Sequence, residues 1–307
     1  MAELTPPTKK TLIVISGPTA VGKTRLSIQL AKHFKCPILS YDSRQFYHEM
    51  TIGTAKPSVE ELAQAEHHFI NSRSIKELYT AGMYEQDAVS LLHELFKTHD
   101  YCIAVGGSGL YIDALCYGID DIPSDPGIRK KLADRWKNEG LEALQEEVRK
   151  IDPDYYESAD MKNPRRVMRA LEVYEITGKT YTSYRTRPQK ERNFNSIRIG
   201  LEMEQEKLYK RVDHRVDQMI QKGLLEEVKN LLPHKHLKAL KTVGYRELID
   251  YFEEKTDLNT AVELVKRNSR RFARKQYTWF RKNKAIKWFQ STDEEAVINY
   301  LESIKSK

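Results

Sequence analysis

The chain has only three cysteines among 307 residues, Cys36, Cys102 and Cys116. They are too few for a disulfide framework and contain no C-x-x-C spacing, so each reads as a small buried hydrophobe in a reducing compartment. No apolar run approaches the roughly 20 residues that span a bilayer, and the first ten residues are polar and proline-containing, without the apolar centre of an export signal. The expectation is a soluble cytoplasmic protein with no membrane partner. The chain has no internal repeat and no low-complexity tract. His67 and His68, and His234 with His236, lack a third ligand at metal spacing and read as ordinary surface or core histidines. One local absence points the other way: no acidic residue falls between 266 and 287.

What is present begins with residues 11–24, Thr-Leu-Ile-Val-Ile-Ser-Gly-Pro-Thr-Ala-Val-Gly-Lys-Thr. An apolar, β-branched run suited to a buried parallel strand meets a glycine-framed loop, and Leu26, Leu30 and Phe34 then recur at helical spacing. Gly17, Pro18, Thr19, Ala20, Val21, Gly22, Lys23 and Thr24 match G-x-x-x-x-G-K-[ST] in the context that motif requires. There, successive backbone N–H groups cradle an anion, Lys23 adds a positive charge, and the Thr24 hydroxyl can ligate Mg²⁺, the one cofactor expected.

Further along, residues 36–41 read as a second strand that delivers Asp42, Ser43, Arg44 and Gln45 at its carboxyl end, where open α/β sheets bind ligands. Residues 49–71 read as a loop with a short helix, and 83–97 as a helix. Residues 101–105 are a third apolar run, followed by Gly106-Gly107-Ser108-Gly109. This alternation predicts an α/β fold: a P-loop parallel sheet flanked by helices. From residue 121 the composition turns to Asp and Pro, and no strand is expected until Ile197. An inserted all-helical subdomain over 121–195 is therefore expected, with the core formed by 1–120 and 196–307. Its clearest helix starts with Asn163 as N-cap and Pro164 next, and stops at Gly178. After the returning strand, a helix ending at Gly223 and helices near 242–252, 258–282 and 293–304 complete the chain.

The net charge of +7 is concentrated. Arg267, Arg270, Arg271, Arg274 and Arg281 share one helical face, with Leu264, Phe272 and Trp279 expected nearer the core face. Like charges at these spacings destabilise a helix unless an anion neutralises them, which favours polyanion binding over a merely solvated face. Arg165, Arg166 and Arg169 add charge near a helix N-terminus, and the two basic regions could flank one groove.

Asp42, at a strand end beside the phosphate loop, can accept a proton, hold a metal, or simply cap the next turn of chain. Ser108 can offer a hydroxyl to the same cleft or only form a tight turn. Arg246, in Thr-Val-Gly-Tyr-Arg (242–246), can reach phosphate or stay an ordinary surface arginine.

Taken together, the phosphate loop, Asp-Ser-Arg-Gln (42–45), Ile-Gly-Thr-Ala-Lys-Pro (52–57), Val-Gly-Gly-Ser-Gly-Leu-Tyr (105–111), Asn-Pro-Arg-Arg-Val-Met-Arg-Ala-Leu-Glu-Val (163–173), Val-Gly-Tyr-Arg (243–246) and Arg-Lys-Gln-Tyr-Thr-Trp-Phe-Arg (274–281) resemble the ordered motifs of the tRNA dimethylallyltransferases. The resemblance spans nearly the whole chain. Ser108 stands where the family usually has Thr, which keeps the hydroxyl. The zinc-finger extension of eukaryotic members is missing, as in bacterial ones.

The resemblance implies transfer of a dimethylallyl group from dimethylallyl diphosphate to N6 of the adenosine 3′-adjacent to the anticodon in tRNA. It implies Asp42 as base, Ser108 holding the extruded adenine, and residues 17–24 with Arg246 binding the leaving diphosphate. Positions 42–45, Ser108, Arg129, Arg165, Arg166, Val167, Met168 and Arg169 match tRNA contacts of the family. Phosphate contacts by Arg267, Arg270, Arg274 and Arg281 follow instead from charge spacing. The expected partners are the tRNA anticodon stem-loop and dimethylallyl diphosphate, with the protein a monomer. A nucleotide kinase is the main rival reading, yet the strand at 101–105 runs into glycines where a kinase usually places a Mg²⁺-binding Asp. A GTP switch lacks its recognition aspartate, and a non-catalytic RNA-binding module leaves Asp42 unexplained.

Overall fold

The computed structural model describes residues 10–120, 122–185 and 190–305. The first part of the chain alternates strand and helix: β1 (Thr11–Ser16), α1 (Lys23–Phe34), β2 (Ile38–Ser40), α2 (Val59–Leu62), β3 (His67–His68), α3 (Ala81–Leu95), β4 (Tyr101–Val105) and α4 (Gly109–Tyr117). Four helices follow: α5 (Pro126–Ile151), α6 (Pro153–Ser158), α7 (Pro164–Thr177) and α8 (Tyr181–Tyr184). The chain returns as β5 (Asn195–Glu202), α9 (Gln205–Gln221), α10 (Leu224–Leu231), α11 (Tyr245–Phe252), α12 (Leu258–Arg281), β6 (Lys287–Gln290) and α13 (Glu294–Lys305).

All strands are parallel, in the order β3-β2-β4-β1-β5-β6. Leu12, Ile13, Val14 and Ile15 of the central β1 are wholly buried, because helices cover a parallel sheet on both faces. Leu26, Ile28 and Leu30 of α1 pack into the same core as Ile38, Ile103 and Ile199. A second core joins α9 to α12 through Val216, Val228, Leu248 and Val265.

Among the elements that the sequence does not reveal are β3, β6 and α10. β3 is only His67 and His68, paired beside Ile38 and Leu39 at a sheet edge, too short to show alternation. β6 pairs Ile199 with Lys287 on the other edge, and its exposed ends hide it behind the basic run. α10 starts directly at Gly223, whose φ of 96° both ends α9 and opens the next helix.

Two compact units emerge, Met1–Cys116 with Glu191–Lys307, and Tyr117–Lys190. The expected limits were 121 and 195; in the structure the Lys190 N–H donates to the Tyr117 carbonyl at 2.9 Å and joins the two ends of the inserted unit. That unit packs Leu132, Leu144, Val148, Tyr155 and Leu171 around a core of its own. α5 is broken at Gly140, whose φ of 83° no helix accommodates. Asn163 caps α7 by accepting from the Arg165 N–H at 3.1 Å, and Gly178 ends it in the left-handed region, both as the sequence indicates. Among the described residues no helix is long and apolar enough to cross a membrane.

Candidate active site

Because the strands are parallel, the loops after β1, β2 and β4 lie along one edge of the sheet. Gly17 turns the chain out of β1 at a φ of 148°, and a Cβ there would lie 2.7 Å from the Leu201 carbonyl oxygen. Lys23 arcs back over its own loop, Nζ donating to the carbonyls of Gly17 at 3.0 Å and Pro18 at 2.8 Å. Burial pushes the Lys23 ammonium down to about 7; Asp42 opposes that shift and Arg215 adds to it.

Asp42 closes a turn with one oxygen and leaves the other outside it. Oδ1 accepts the Arg44 N–H at 3.1 Å and closes a turn, while Oδ2 faces Gly107, 3.7 Å from where a Cβ would stand. Ser108 likewise does two things: its Oγ accepts the Ser43 N–H at 2.9 Å and donates to Ser43 Oγ at 3.0 Å, joining the acidic turn to the second glycine loop.

Two cavities share this edge. One of about 490 Å³ is polar, with Gly22, Thr24, Lys56, Arg211 and Gln218 in its wall. The other, about 440 Å³, is walled by Val212, Val216, Met219, Val265 and Phe272, with Ser43, Arg44 and Ser108 at its polar side. Thr19, Lys23, Asp42, Thr54, Ala55 and Arg215 belong to both. A carboxylate and two basic side chains therefore stand between the polar cavity and the apolar one.

Arg215 was absent from the sequence reading. It reaches from α9 to donate to Thr19 Oγ1 at 3.2 Å and to the Ala55 carbonyl at 3.3 Å, and burial lowers its pKa. The signal was there: Arg211, His214, Arg215 and Gln218 form a polar stripe on α9 that borders the apolar stripe of Leu208, Val212 and Val216. Arg246, expected at the diphosphate, lines neither cavity. Its neighbours Tyr245, Leu248 and Ile249 form the buried face of α11 and turn position 246 outward, where Nη2 donates to the buried Glu247 at 2.9 Å.

α12 also departs from expectation. Ala261, Val265, Ala273, Gln276 and Phe280 face inward, while Phe272 and Trp279 are 45% and 47% exposed and stand in the wall of the apolar cavity. Of its arginines, Arg270 is bound to Asp213 at 2.5 Å, and Arg281 to Glu202 and Tyr277, so acids from other elements neutralise part of the face. Arg267, Arg271 and Arg274 are exposed.

In the inserted unit Arg165 and Arg166 are exposed. Arg129 and Arg169 converge on buried Glu172, at 2.7 and 2.6 Å. Val167 is wholly buried and Met168 packs on the same core, so the Val167 side chain is closed to a partner, because α7 turns 167, 170 and 171 inward.

Among the described residues no group of three or more His, Cys, Asp or Glu could hold a metal. Thr24 in the wall of the polar cavity nonetheless fits Mg²⁺, which at such loops takes one hydroxyl, phosphate oxygens and water in place of a protein cage.

The IPP transferase family profile matches residues 45–283. A tRNA dimethylallyltransferase of Christiangramia forsetii is 50% identical over 294 residues, covering 95% of this chain and 97% of that one. The tRNA dimethylallyltransferase 1 of Bacteroides thetaiotaomicron is 47% identical over 292 residues, 95% of each. The crystal structure of a full-length tRNA isopentenylpyrophosphate transferase from Bacillus halodurans superposes with a TM-score of 0.71 at 34% identity, covering 96% of each chain. A eukaryotic dimethylallyltransferase, described as acting on tRNA, gives 0.76 at 26% identity over 92% of this chain and 74% of its own. With likeness running along almost the whole sequence and the fold in agreement, this chain belongs to the IPP transferase family, the tRNA dimethylallyltransferases.

Proposed function

We propose that the protein transfers a dimethylallyl group from dimethylallyl diphosphate to N6 of the adenosine 3′-adjacent to the anticodon in tRNA, releasing diphosphate. The observation that carries this reading is the shared wall: Asp42, Lys23 and Arg215 touch both the anion pocket and the apolar chamber.

The adenine N6 lone pair is delocalised and attacks poorly unless its proton is withdrawn as the bond forms. Asp42 Oδ2, not committed to the turn, is the base for that proton. The bond from N6 to the allylic carbon forms, the carbon–oxygen bond to diphosphate breaks, and the electron pair leaves on the phosphate oxygen. Lys23, Arg215 and the backbone N–H groups of 20–24 stabilise that developing charge, and Val212, Val216 and Met219 offer the hydrocarbon an apolar wall that keeps water from the allylic centre. Thr24 would hold a Mg²⁺ ion, which would supply further neutralisation of the diphosphate. Ser108 and Ser43 face the entering base.

A base in a single-stranded loop leaves its stack at lower cost than one in a duplex, which suits the anticodon stem-loop as substrate. Arg44, Arg165, Arg166, Arg267, Arg271 and Arg274 are the phosphate contacts in this reading. A monomer suffices, since one chain supplies both cavities, and the cytoplasm keeps the three buried thiols reduced. The test is incubation with labelled dimethylallyl diphosphate or γ-labelled ATP, with and without unmodified tRNA. Prenyl label should move to tRNA; movement of γ-phosphate, or of neither label, overturns the proposal.

A further inference from the structure

Glu227, on α10, lines neither cavity, yet its carboxylate has every acceptor position filled. Oε2 accepts the backbone N–H of Thr51 at 2.9 Å and of Ile52 at 2.7 Å; Oε1 accepts the N–H of Gly53 at 3.0 Å and the Tyr245 hydroxyl at 2.6 Å. Three successive amides aimed at one charge make a strong anchor. Tyr245 is wholly buried, and burial and the Glu227 charge keep its phenol protonated and donating. Gly53 is required for this approach, because a Cβ there would stand 2.6 Å from the Tyr245 ring.

What the anchor holds is the segment that walls both cavities. Just beyond it, Thr54 Oγ1 donates to the Met50 carbonyl at 2.7 Å, and Ala55 sits at a φ of 48°, a conformation unfavourable for an L residue that surrounding contacts must impose. The Ala55 carbonyl then accepts from Arg215 Nη2 at 3.3 Å and from Gln45 Nε2 at 3.2 Å. Arg215 also donates to Thr19 in the phosphate loop. A continuous set of bonds thus runs from Tyr245 through Glu227 and the 51–55 backbone to Arg215.

We propose that Glu227 is a positioning residue for the leaving group: by holding the 51–55 backbone it sets Arg215 against the phosphate loop, and so governs diphosphate binding without touching either substrate. The inference rests on the reading of that loop as a diphosphate site. It differs from a purely structural role in what it disturbs. A structural strut would change melting temperature alone, whereas this one acts on one substrate and not on the other.

The experiment compares wild type with Glu227→Gln and Tyr245→Phe. Gln turns one acceptor oxygen into an NH₂ group and leaves part of the donor set without a partner; Phe removes only the phenol bond. Steady-state kinetics are measured with dimethylallyl diphosphate and tRNA varied separately, and melting temperature with and without inorganic diphosphate. Glu227→Gln should lower kcat/KM for dimethylallyl diphosphate by about tenfold to a hundredfold, as loss of a supporting partner does elsewhere, with KM for tRNA unchanged. The rise in Tm produced by inorganic diphosphate should shrink in parallel, and Tyr245→Phe should move both in the same direction by less. Lower Tm with unchanged kinetic constants and an undiminished diphosphate shift would overturn the proposal, as would a rise confined to KM for tRNA. Should Glu227→Gln fail to fold, Tyr245→Phe decides by the same criteria. A wild type that transfers no prenyl label would overturn the enzymatic reading, and the diphosphate shift would still decide the role of Glu227.

Discussion

The backbone N–H of Thr19 donates at 2.9 Å to Oε1 of Gln276, 257 positions later in the chain. Nε2 of the same side chain donates to the Gly107 carbonyl at 3.0 Å, and a Cβ on Gly107 would stand 2.1 Å from that nitrogen. One buried amide therefore ties the phosphate loop to the loop bearing Ser108, and sets the spacing between the two loops.

Gln276→Leu keeps the volume of that side chain and leaves the Thr19 N–H and the Gly107 carbonyl unpaired. Two lost hydrogen bonds at a buried site should cost about 1–3 kcal/mol in stability, and the looser loops should lower kcat. Thermal melts with single-turnover transfer assays check this; wild-type kinetics in a folded variant would show that the loops hold their spacing without the amide.

Asp42→Asn preserves an oxygen for the Arg44 N–H and removes the ability to take a proton. Transfer should fall by about 10²–10⁴-fold while tRNA affinity stays near wild type. Near-normal turnover in this variant would remove Asp42 as the base.

Lys23 supplies a pH dependence whose sign can be worked out. Its free-state pKa is lowered to about 7, chiefly by burial, so above pH 7 the unliganded protein holds it increasingly neutral. Bound diphosphate favours the charged form, so binding should take up a proton and weaken as pH rises above 7. Because the folded pKa lies below the unfolded value of 10.5, the unfolded chain binds more protons between the two, and this group's contribution to stability rises with pH across that window. Calorimetric titration of diphosphate in buffers of different ionisation enthalpy measures the uptake, and Lys23→Arg should abolish it. Proton release by the wild type would contradict the assignment.

On α12 the arginines should separate into two classes. Arg267→Ala, Arg271→Ala and Arg274→Ala should each make the log–log salt dependence of tRNA binding shallower by about one. Arg270→Ala and Arg281→Ala should change the slope less and lower Tm more, since Asp213 and Glu202 already hold those side chains. Equal slopes throughout would show that the helix face is not a phosphate contact.

The strand, loop and helix at 11–34, the acidic turn at Asp42 and the cap at Asn163 were legible in the sequence because each is a local event. Glycine conformations, caps and hydrophobic spacing act over a few residues, and their chemistry is carried by the residues themselves. The edge strands β3 and β6 were not legible, since a two-residue strand has no period and Trp288-Phe289 between two exposed ends is too short an apolar run to show one.

The sequence by itself determined the four central strands of the sheet, the phosphate loop, the helical insert and the residue types at the edge where the loops gather. Tertiary structure alone decided that Arg215 and not Arg246 stands beside Lys23, that Phe272 and Trp279 wall a cavity instead of filling a core, and that Gln276 and Glu227 hold the loops. The physical reason is distance along the chain: these bonds cross 160 to 257 positions in the cases of Arg215 with Ala55, Glu227 with Ile52, and Gln276 with Thr19. Which face of a helix turns toward such a partner depends on how whole elements pack, and helical spacing alone cannot distinguish two amphipathic faces when one is lined with arginine and aromatic side chains together.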